Sequence, residues 1–228
     1  MIKQIKTSIF LVSLVILPAA HARAEADPLW SKTMSQYKLT NQWVPKEIRT
    51  QINAERKDQP DKTAYIKSTL NGWEKQEPKY TSATTDSNWQ ILPEQQKSAD
   101  GTNKMLTGLD ELKSSLLEGG VKVKRLNNES QDGKNLAVFQ LSDDGAGMKI
   151  DIKIWVNPDT ACMVKMDTSM HVAFFADADF STRYTEPGKE GLCFREKMQG
   201  NIDIQIPFKK AKMSIKQNHA DWTPKPVN

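Results

Sequence analysis

From residue 192 to 208 the chain carries a 17-residue alternation of apolar and polar side chains. Leu192, Phe194, Met198, Ile202, Ile204, Ile206 and Phe208 fall on one parity. Cys193, Arg195, Lys197, Gln199, Asn201, Asp203 and Gln205 fall on the other. A period of two belongs to a strand with one dry and one wet face. Strands usually run about five or six residues. A run this long predicts a large, curved antiparallel sheet, and curved sheets enclose space.

The neighbouring sequence repeats the pattern. Segments 121–127 and 135–141 flank Asp132-Gly133, a strong hairpin signal, and Asp144-Gly145 is a second such turn. Met148, Ile150, Ile152, Ile154 and Val156 alternate with Lys149, Asp151 and Lys153. After the turn Asn157-Pro158-Asp159-Thr160, a further dry row runs through Cys162, Val164, Met166, Thr168, Met170, Val172 and Phe174. Phe180, Thr182 and Tyr184 follow Ala176-Asp177, and Ala211, Met213 and Ile215 close the series beyond a corner at Pro207. Residues 121–217 therefore predict an antiparallel meander of about seven strands.

Upstream, Asp27-Pro28 with Leu29, Trp30, Met34 and Tyr37 predicts a short capped helix. Segments 44–56 and 64–75 read as two strands joined by a polar turn at 57–62. Residues 77–104 are rich in Thr, Ser, Gln, Asp and Lys and carry Pro78, Pro93 and Gly101, which predicts a long polar loop. Met105, Leu109, Leu112 and Leu116 then recur at helical spacing over 105–118, and Gly119-Gly120 would end that helix. It is placed to lie across the concave face as a lid.

Residues 1–24 read as a secretory signal cleaved near 22–26. Lys3 and Lys6 precede a short apolar core, and Ala20-His21-Ala22 and Ala22-Arg23-Ala24 offer cleavage patterns. The core is well short of the ~20 residues needed to span a bilayer. Cleavage would remove Lys3, Lys6 and Arg23 and no acid, taking 32 basic residues against 28 acidic ones to 29 against 28. A nearly neutral mature chain gives no footing for nucleic-acid binding, and Lys209, Lys210 and Lys212 read as the wet rim of a strand. Cys162 and Cys193 are an even pair in a chain expected to be exported, so both are expected in one disulfide, each within a strand-like segment.

Chemistry-bearing constellations are sparse. His171 and His219 are expected at the surface, and no Gly-x-Ser-x-Gly is present. Asp177 with Asp179, and Asp143 with Asp144, sit at turns, where Asp belongs for backbone reasons. No cofactor, metal or catalytic residue is called for. The dry rows are instead heavy in Met148, Met166, Met170, Met198 and Met213, a flexible and polarisable lining. Trp43, Trp73, Trp89, Trp155 and Trp222 fall at strand ends or turns, where an amphipathic ring suits a rim.

Several of these segments resemble a known family. The exported start, the helix at 29–37, Trp43-Val44-Pro45, the stretch Ile154-Trp155-Val156-Asn157-Pro158-Asp159-Thr160, Val164-Lys165-Met166 and Ile204-Gln205-Ile206-Pro207-Phe208 are similar to the periplasmic lipoprotein-carrier superfamily (LolA/LolB-like). The resemblance implies an α+β fold, a strongly curved, unclosed antiparallel half-barrel with an acyl-binding cavity under a helical lid. Residues 27–222 would form that single domain, and 223–228 a C-terminal tail. The implied function is that of a soluble periplasmic, non-enzymatic carrier of a lipid, a lipoprotein acyl chain or another hydrophobic ligand, with room for an inner- or outer-membrane partner protein. Expected cavity-lining residues are Leu109, Leu112, Leu116, Met148, Ile150, Ile152, Met166, Met170, Met198, Ile202 and Ile204. Two alternatives stand beside it: an envelope sensor or assembly factor whose sheet is plugged by its own side chains, and a hydrolase whose site is not visible in sequence.

Overall fold

The computed structural model describes residues 27–56, 59–92, 116–118, 121–145, 147–188, 190–206 and 209–226. One helix, α1 (Pro28–Thr40), precedes ten strands: β1 (Trp43–Arg56), β2 (Gln59–Glu74), β3 (Glu77–Thr85), β4 (Val123–Gln131), β5 (Lys134–Gly145), β6 (Met148–Val156), β7 (Met163–Val172), β8 (Ala176–Tyr184), β9 (Arg195–Ile206) and β10 (Lys209–Pro224). They form one wholly antiparallel sheet in the order β3-β2-β1-β10-β9-β8-β7-β6-β5-β4, open at β3 and β4. The meander expected over 121–217 is β4 to β10, seven strands in sequence.

The sheet curls around α1. On a flat sheet β3 and β5 would stand about 38 Å apart, eight strand spacings of ~4.8 Å. A 13-residue helix is only about 20 Å long. Yet Trp30 of α1 packs on Phe139 of β5, ring centroids 5.0 Å apart, while Tyr37 and Gln36 share a cavity wall with Tyr80 of β3. Only a concave sheet brings both within reach. The helix is capped as its sequence predicts, with Asp27 accepting from the amides of Leu29 at 2.9 Å and Trp30 at 3.2 Å and Pro28 opening the first turn. Arg125 fastens that end: its guanidinium lies 4.8 Å over the Phe139 ring and 3.4 Å from the Asp27 carboxylate.

Three expectations change. The polar stretch at 77–104 does not begin as a loop, because Glu77–Thr85 is strand β3, paired with β2 through Tyr80, Ser82 and Thr84. Alternation hid there because its inward residues are hydroxylic. Residues 93–104 lie outside the described residues. Second, the run at 192–208 is a strand only over Arg195–Ile206, and Leu192, Cys193 and Phe194 precede it. Both cysteines thus sit just outside strands, where their bridge joins the approaches to β7 and β9, Cα to Cα 5.9 Å. Third, of the helix expected at 105–118 only residues 116–118 are described, and they are helical. Among the described residues it is α1 that crosses the concave face. At the other end of the chain, β10 runs through Pro224, beyond the expected tail boundary at 222, and the Lys225 amide bonds to the Gln42 carbonyl at 2.7 Å.

Two β-bulges correct the face assignments. Trp155 pairs Lys165 but Val156 pairs Met163, leaving Val164 as an extra residue in β7. Arg183 pairs Lys197 but Tyr184 pairs Arg195, leaving Glu196 as an extra residue in β9. Each insertion flips the parity of everything before it. Met163 joins the concave row with Val156, while Val164 packs outward against Leu136, Val138 and Trp155. Arg195 and Cys193, expected on the wet face, turn toward the concavity.

Candidate ligand-binding site

The concave face has three parts. Over β5, β6 and β7 it is apolar and full: Phe139, Ile150, Ile152, Ile154 and Val156 are fully buried beneath Leu29, Trp30, Met34 and Leu117. Over β8, β9 and β10 a second cluster forms from Ala178, Phe180, Met198, Ile202 and Ile215. Toward β1, β2 and β3 the same face turns polar. The Gln217 amide donates to Thr50 Oγ1 at 3.1 Å, and the Ser68 and Ser82 hydroxyls meet at 2.9 Å. All four are buried, so these hydrogen bonds offset the cost of taking polar groups out of water.

Space remains at one end, where β1, β3, β7 and β9 begin and β8 and β10 finish. A cavity of about 530 Å³ lies between the C-terminal half of α1 and these strand ends. Thr33, Gln36 and Tyr37 of α1 form its roof. Val44 and Ile48 of β1, Met163 and Met166 of β7, and the Cys162–Cys193 bridge form its apolar floor. Tyr80, Tyr184 and Trp222 add amphipathic rings, and Arg195, Glu77 and Lys225 bring charge to the wall. The volume falls within the ~300–1,000 Å³ range of small-molecule sites.

The wall is braced from behind. Phe194 stacks on Trp222 with centroids 5.0 Å apart and interplanar angle 17°, and it meets Trp43 at 5.5 Å. His219, expected at the surface, is buried on the concave row and lies 6.2 Å from Trp222. The Tyr80 hydroxyl donates to the Pro45 carbonyl at 2.7 Å, tying β3 back to β1. Burial pushes its pKa up to about 12, against a weaker opposing pull from the Arg195 charge. Tyr80 is therefore a neutral hydrogen-bonding ring throughout the physiological range.

The predicted lining residues separate when placed. Met148, Ile150, Ile152, Met166, Met170, Met198, Ile202 and Ile204 all share the concave face, as their parity requires. Only Met166 among them touches the cavity; the others pack against one another. Leu116 is half-buried against Val121, Leu141, Ile150 and Ile152. Leu109 and Leu112 lie outside the described residues. What sequence reading missed is the part of the wall drawn from α1, β1, β3, β8 and β9: Tyr37, Val44, Ile48, Tyr80, Tyr184 and Arg195. The rim position read for Trp43 and Trp222 was the available signal, and both rings line the cavity.

Polar chemistry elsewhere is modest. His171 Nδ1 meets Asp177 Oδ1 at 2.6 Å in an exposed pair on the convex face, where Gln205 also donates to Asp177 at 2.9 Å. Asp179 accepts from Ser169. Among the described residues no group of three or more His, Cys, Asp or Glu side chains is arranged to hold a metal ion.

The class these features define is an α+β protein built on one open, concave, ten-stranded antiparallel sheet with a helix across its hollow. No family profile matches the sequence, and no curated protein matches it. Solved structures with a similar course include a LolA superfamily protein from Nitrosomonas europaea, at 11% identity over 86% of this chain and 94% of that one, TM-score 0.39. A domain provisionally assigned to outer membrane lipoprotein sorting, from Vibrio parahaemolyticus, gives 13% identity over 87% and 93%, TM-score 0.41. The lipoprotein LppX of Mycobacterium tuberculosis gives 10% identity over 88% and 97%, TM-score 0.27. At such scores they carry no argument, and the architecture rests on the strand pairing itself.

Proposed function

We propose that this protein is an exported, non-enzymatic carrier that binds a lipid, a lipoprotein acyl chain or another hydrophobic ligand in the cavity under α1. The observation that carries the reading is the cavity's composition: an apolar floor of Val44, Ile48, Met163 and Met166 with tyrosine and tryptophan rings around it. Such a wall holds by non-directional contact, at ~0.8 kcal/mol for each buried methylene. Partial burial of a chain therefore gives binding that a better acceptor can reverse. A chain longer than the cavity would part the concave-face side chains in turn, beginning with Met198 and running on through Ile202 and half-buried Met170 toward Ile204 at the far end. The disulfide supports an oxidising compartment such as the periplasm.

Lipid extraction and mass spectrometry of protein purified from periplasm, with displacement of a fluorescent fatty acid, tests the reading. Wild type is expected to yield a co-purifying lipid and to bind the probe. Ile48→Trp, which fills the cavity from a half-buried position, should abolish probe binding while the circular dichroism spectrum is retained. Absence of both lipid and probe binding in the wild type would sink the proposal. One observation favours a second reading, an envelope interaction module: the concave face over β5–β7 is filled by the chain's own side chains. That reading expects no lipid, and a partner protein bound instead.

A further inference from the structure

The β7–β8 hairpin carries the most exposed large apolar side chain among the described residues. Phe174 is 89% exposed, and the adjoining Phe175 is 56% exposed. Residues 172–176, Val-Ala-Phe-Phe-Ala, contain no charged or hydrogen-bonding side chain. Ordinary solvation does not account for two neighbouring phenyl rings at a loop tip.

The backbone beneath them is held rather than loose. Phe175 N bonds to Val172 O at 3.0 Å and closes the turn. Ala173 N bonds to Gly147 O at 2.9 Å in the β5–β6 turn, and Gln205 N bonds to Phe175 O at 2.8 Å. The tip is thus clamped between two neighbouring hairpins. Phe174 itself has φ +65°, a left-handed conformation that bulky L-residues rarely adopt. A strained backbone that presents an apolar ring to water breaks two local rules at once, a combination that marks functional positions.

The dimensions select the occupant. Two phenylalanine rings offer about 400 Å² between them, far below the ~1,200 Å² at which stable protein interfaces begin. A narrow protruding wedge of that size suits the headgroup–acyl boundary of a bilayer. Cations stand beside it: Lys210 pairs with Gln205, the residue bonded to Phe175, and Lys210 and Lys212 are both exposed on β10, Lys212 between Asp203 and Glu55 on the neighbouring strands. The acid that follows the tip, Asp177, is engaged by His171 and Gln205. We infer that the β7–β8 tip is a membrane-docking wedge, in which Phe174 and Phe175 enter the interface of a bilayer and Lys210 and Lys212 meet its anionic headgroups. It lies at the opposite end of the sheet from the cavity, so the inference stands independently of the carrier reading.

Flotation of the disulfide-intact protein with vesicles of phosphatidylethanolamine and phosphatidylglycerol (3:1), and with phosphatidylcholine vesicles, tests it. The wild type should float with the anionic vesicles and less with the neutral ones. Phe174→Asn with Phe175→Ser, where Asn tolerates the left-handed backbone, should lower partitioning about tenfold or more with fold and fatty-acid probe binding unchanged. Lys210→Gln with Lys212→Gln should erase only the preference for anionic vesicles. The inference is overturned if the wild type floats with neither vesicle, or if the Asn/Ser variant floats as well as wild type. It is equally overturned if the Asn/Ser change abolishes binding to a protein while vesicle binding is unaffected.

Discussion

Gly200 lies on the concave row of β9, directly opposite Phe180 on β8 and Ile215 on β10. The Phe180 ring lies over the glycine. A Cβ built at Gly200 would stand 2.2 Å from Phe180 Cδ1, 2.6 Å from Cε1 and 2.8 Å from the Asp179 carbonyl oxygen. Ordinary contact begins near 3.4 Å, so the ring would have to retreat by more than 1 Å. It has little room to do so among Ala178, Met198, Ile202 and Ile215. Overpacking of this kind costs about 1–3 kcal/mol, and the smaller entropy loss of alanine in a strand returns about 0.5–1 kcal/mol. Gly200→Ala should therefore destabilise the protein by about 1–2 kcal/mol, lowering Tm by roughly 2–8 °C at this chain length. Phe180→Ala alone should cost about 3–5 kcal/mol through the space it leaves. In that background the glycine substitution meets only the Asp179 carbonyl, and its cost should shrink by at least about 1 kcal/mol. Urea unfolding of the four oxidised proteins, followed by tryptophan fluorescence and circular dichroism, measures the cycle. An equal cost for Gly200→Ala in both backgrounds, or no cost in the wild type, would refute the packing described here.

Two further outcomes follow from the cavity end. Removing the bridge by Cys162→Ala with Cys193→Ala, or by reduction, frees a loop defined by a sequence separation of 31 and should cost about 3–4 kcal/mol in the chain-entropy model, read as a lower urea midpoint. Tyr80 should ionise late, near pH 12, in an absorbance titration at alkaline pH. Because its folded pKa is raised, its contribution is complete below the unfolded value of about 10 and is lost as pH climbs through 12. Tyr80→Phe should remove that transition, and its persistence in the variant, or its absence from the wild type, would contradict the burial of Tyr80.

The seven-strand meander was legible because its inward residues are Ile, Met, Val and Phe at period two, with turns at Asp132-Gly133 and Asn157-Pro158-Asp159 between runs, although Asp144-Gly145, read as a turn, is the end of β5. The capped helix was legible from Asp27-Pro28 and the spacing of Leu29, Trp30, Met34 and Tyr37. Strand β3 was not, because Tyr80, Ser82 and Thr84 are inward but polar, with Ser82 bonded to Ser68 of β2 and Tyr80 to the Pro45 carbonyl of β1, where an apolar row was sought. The cavity was legible only in its aromatic rim. Its floor depends on which of Met163, Val164 and Met166 face inward, and parity alone gives the wrong answer above the bulge. Arg195 and Cys193 were misassigned for the same reason. The filled state of the concave face depends on how far α1 reaches into it, a tertiary distance that no local pattern encodes.

The extra residues at Val164 and Glu196 act as frameshifts in the alternation of faces. Both precede the same end of the sheet, one on β7 and one on β9, and each is followed upstream by one half of the cystine. Deleting either residue would leave the strand's length almost untouched but would exchange the inside and outside of its first turn-side residues. Without Glu196, Arg195 and Cys193 would turn away from the wall that Arg195 shares with Tyr80; without Val164, Met163 would leave the floor. The bridge and the two bulges therefore act on the same end of the fold: a chain that loses a single residue at either position changes which side chains line its cavity.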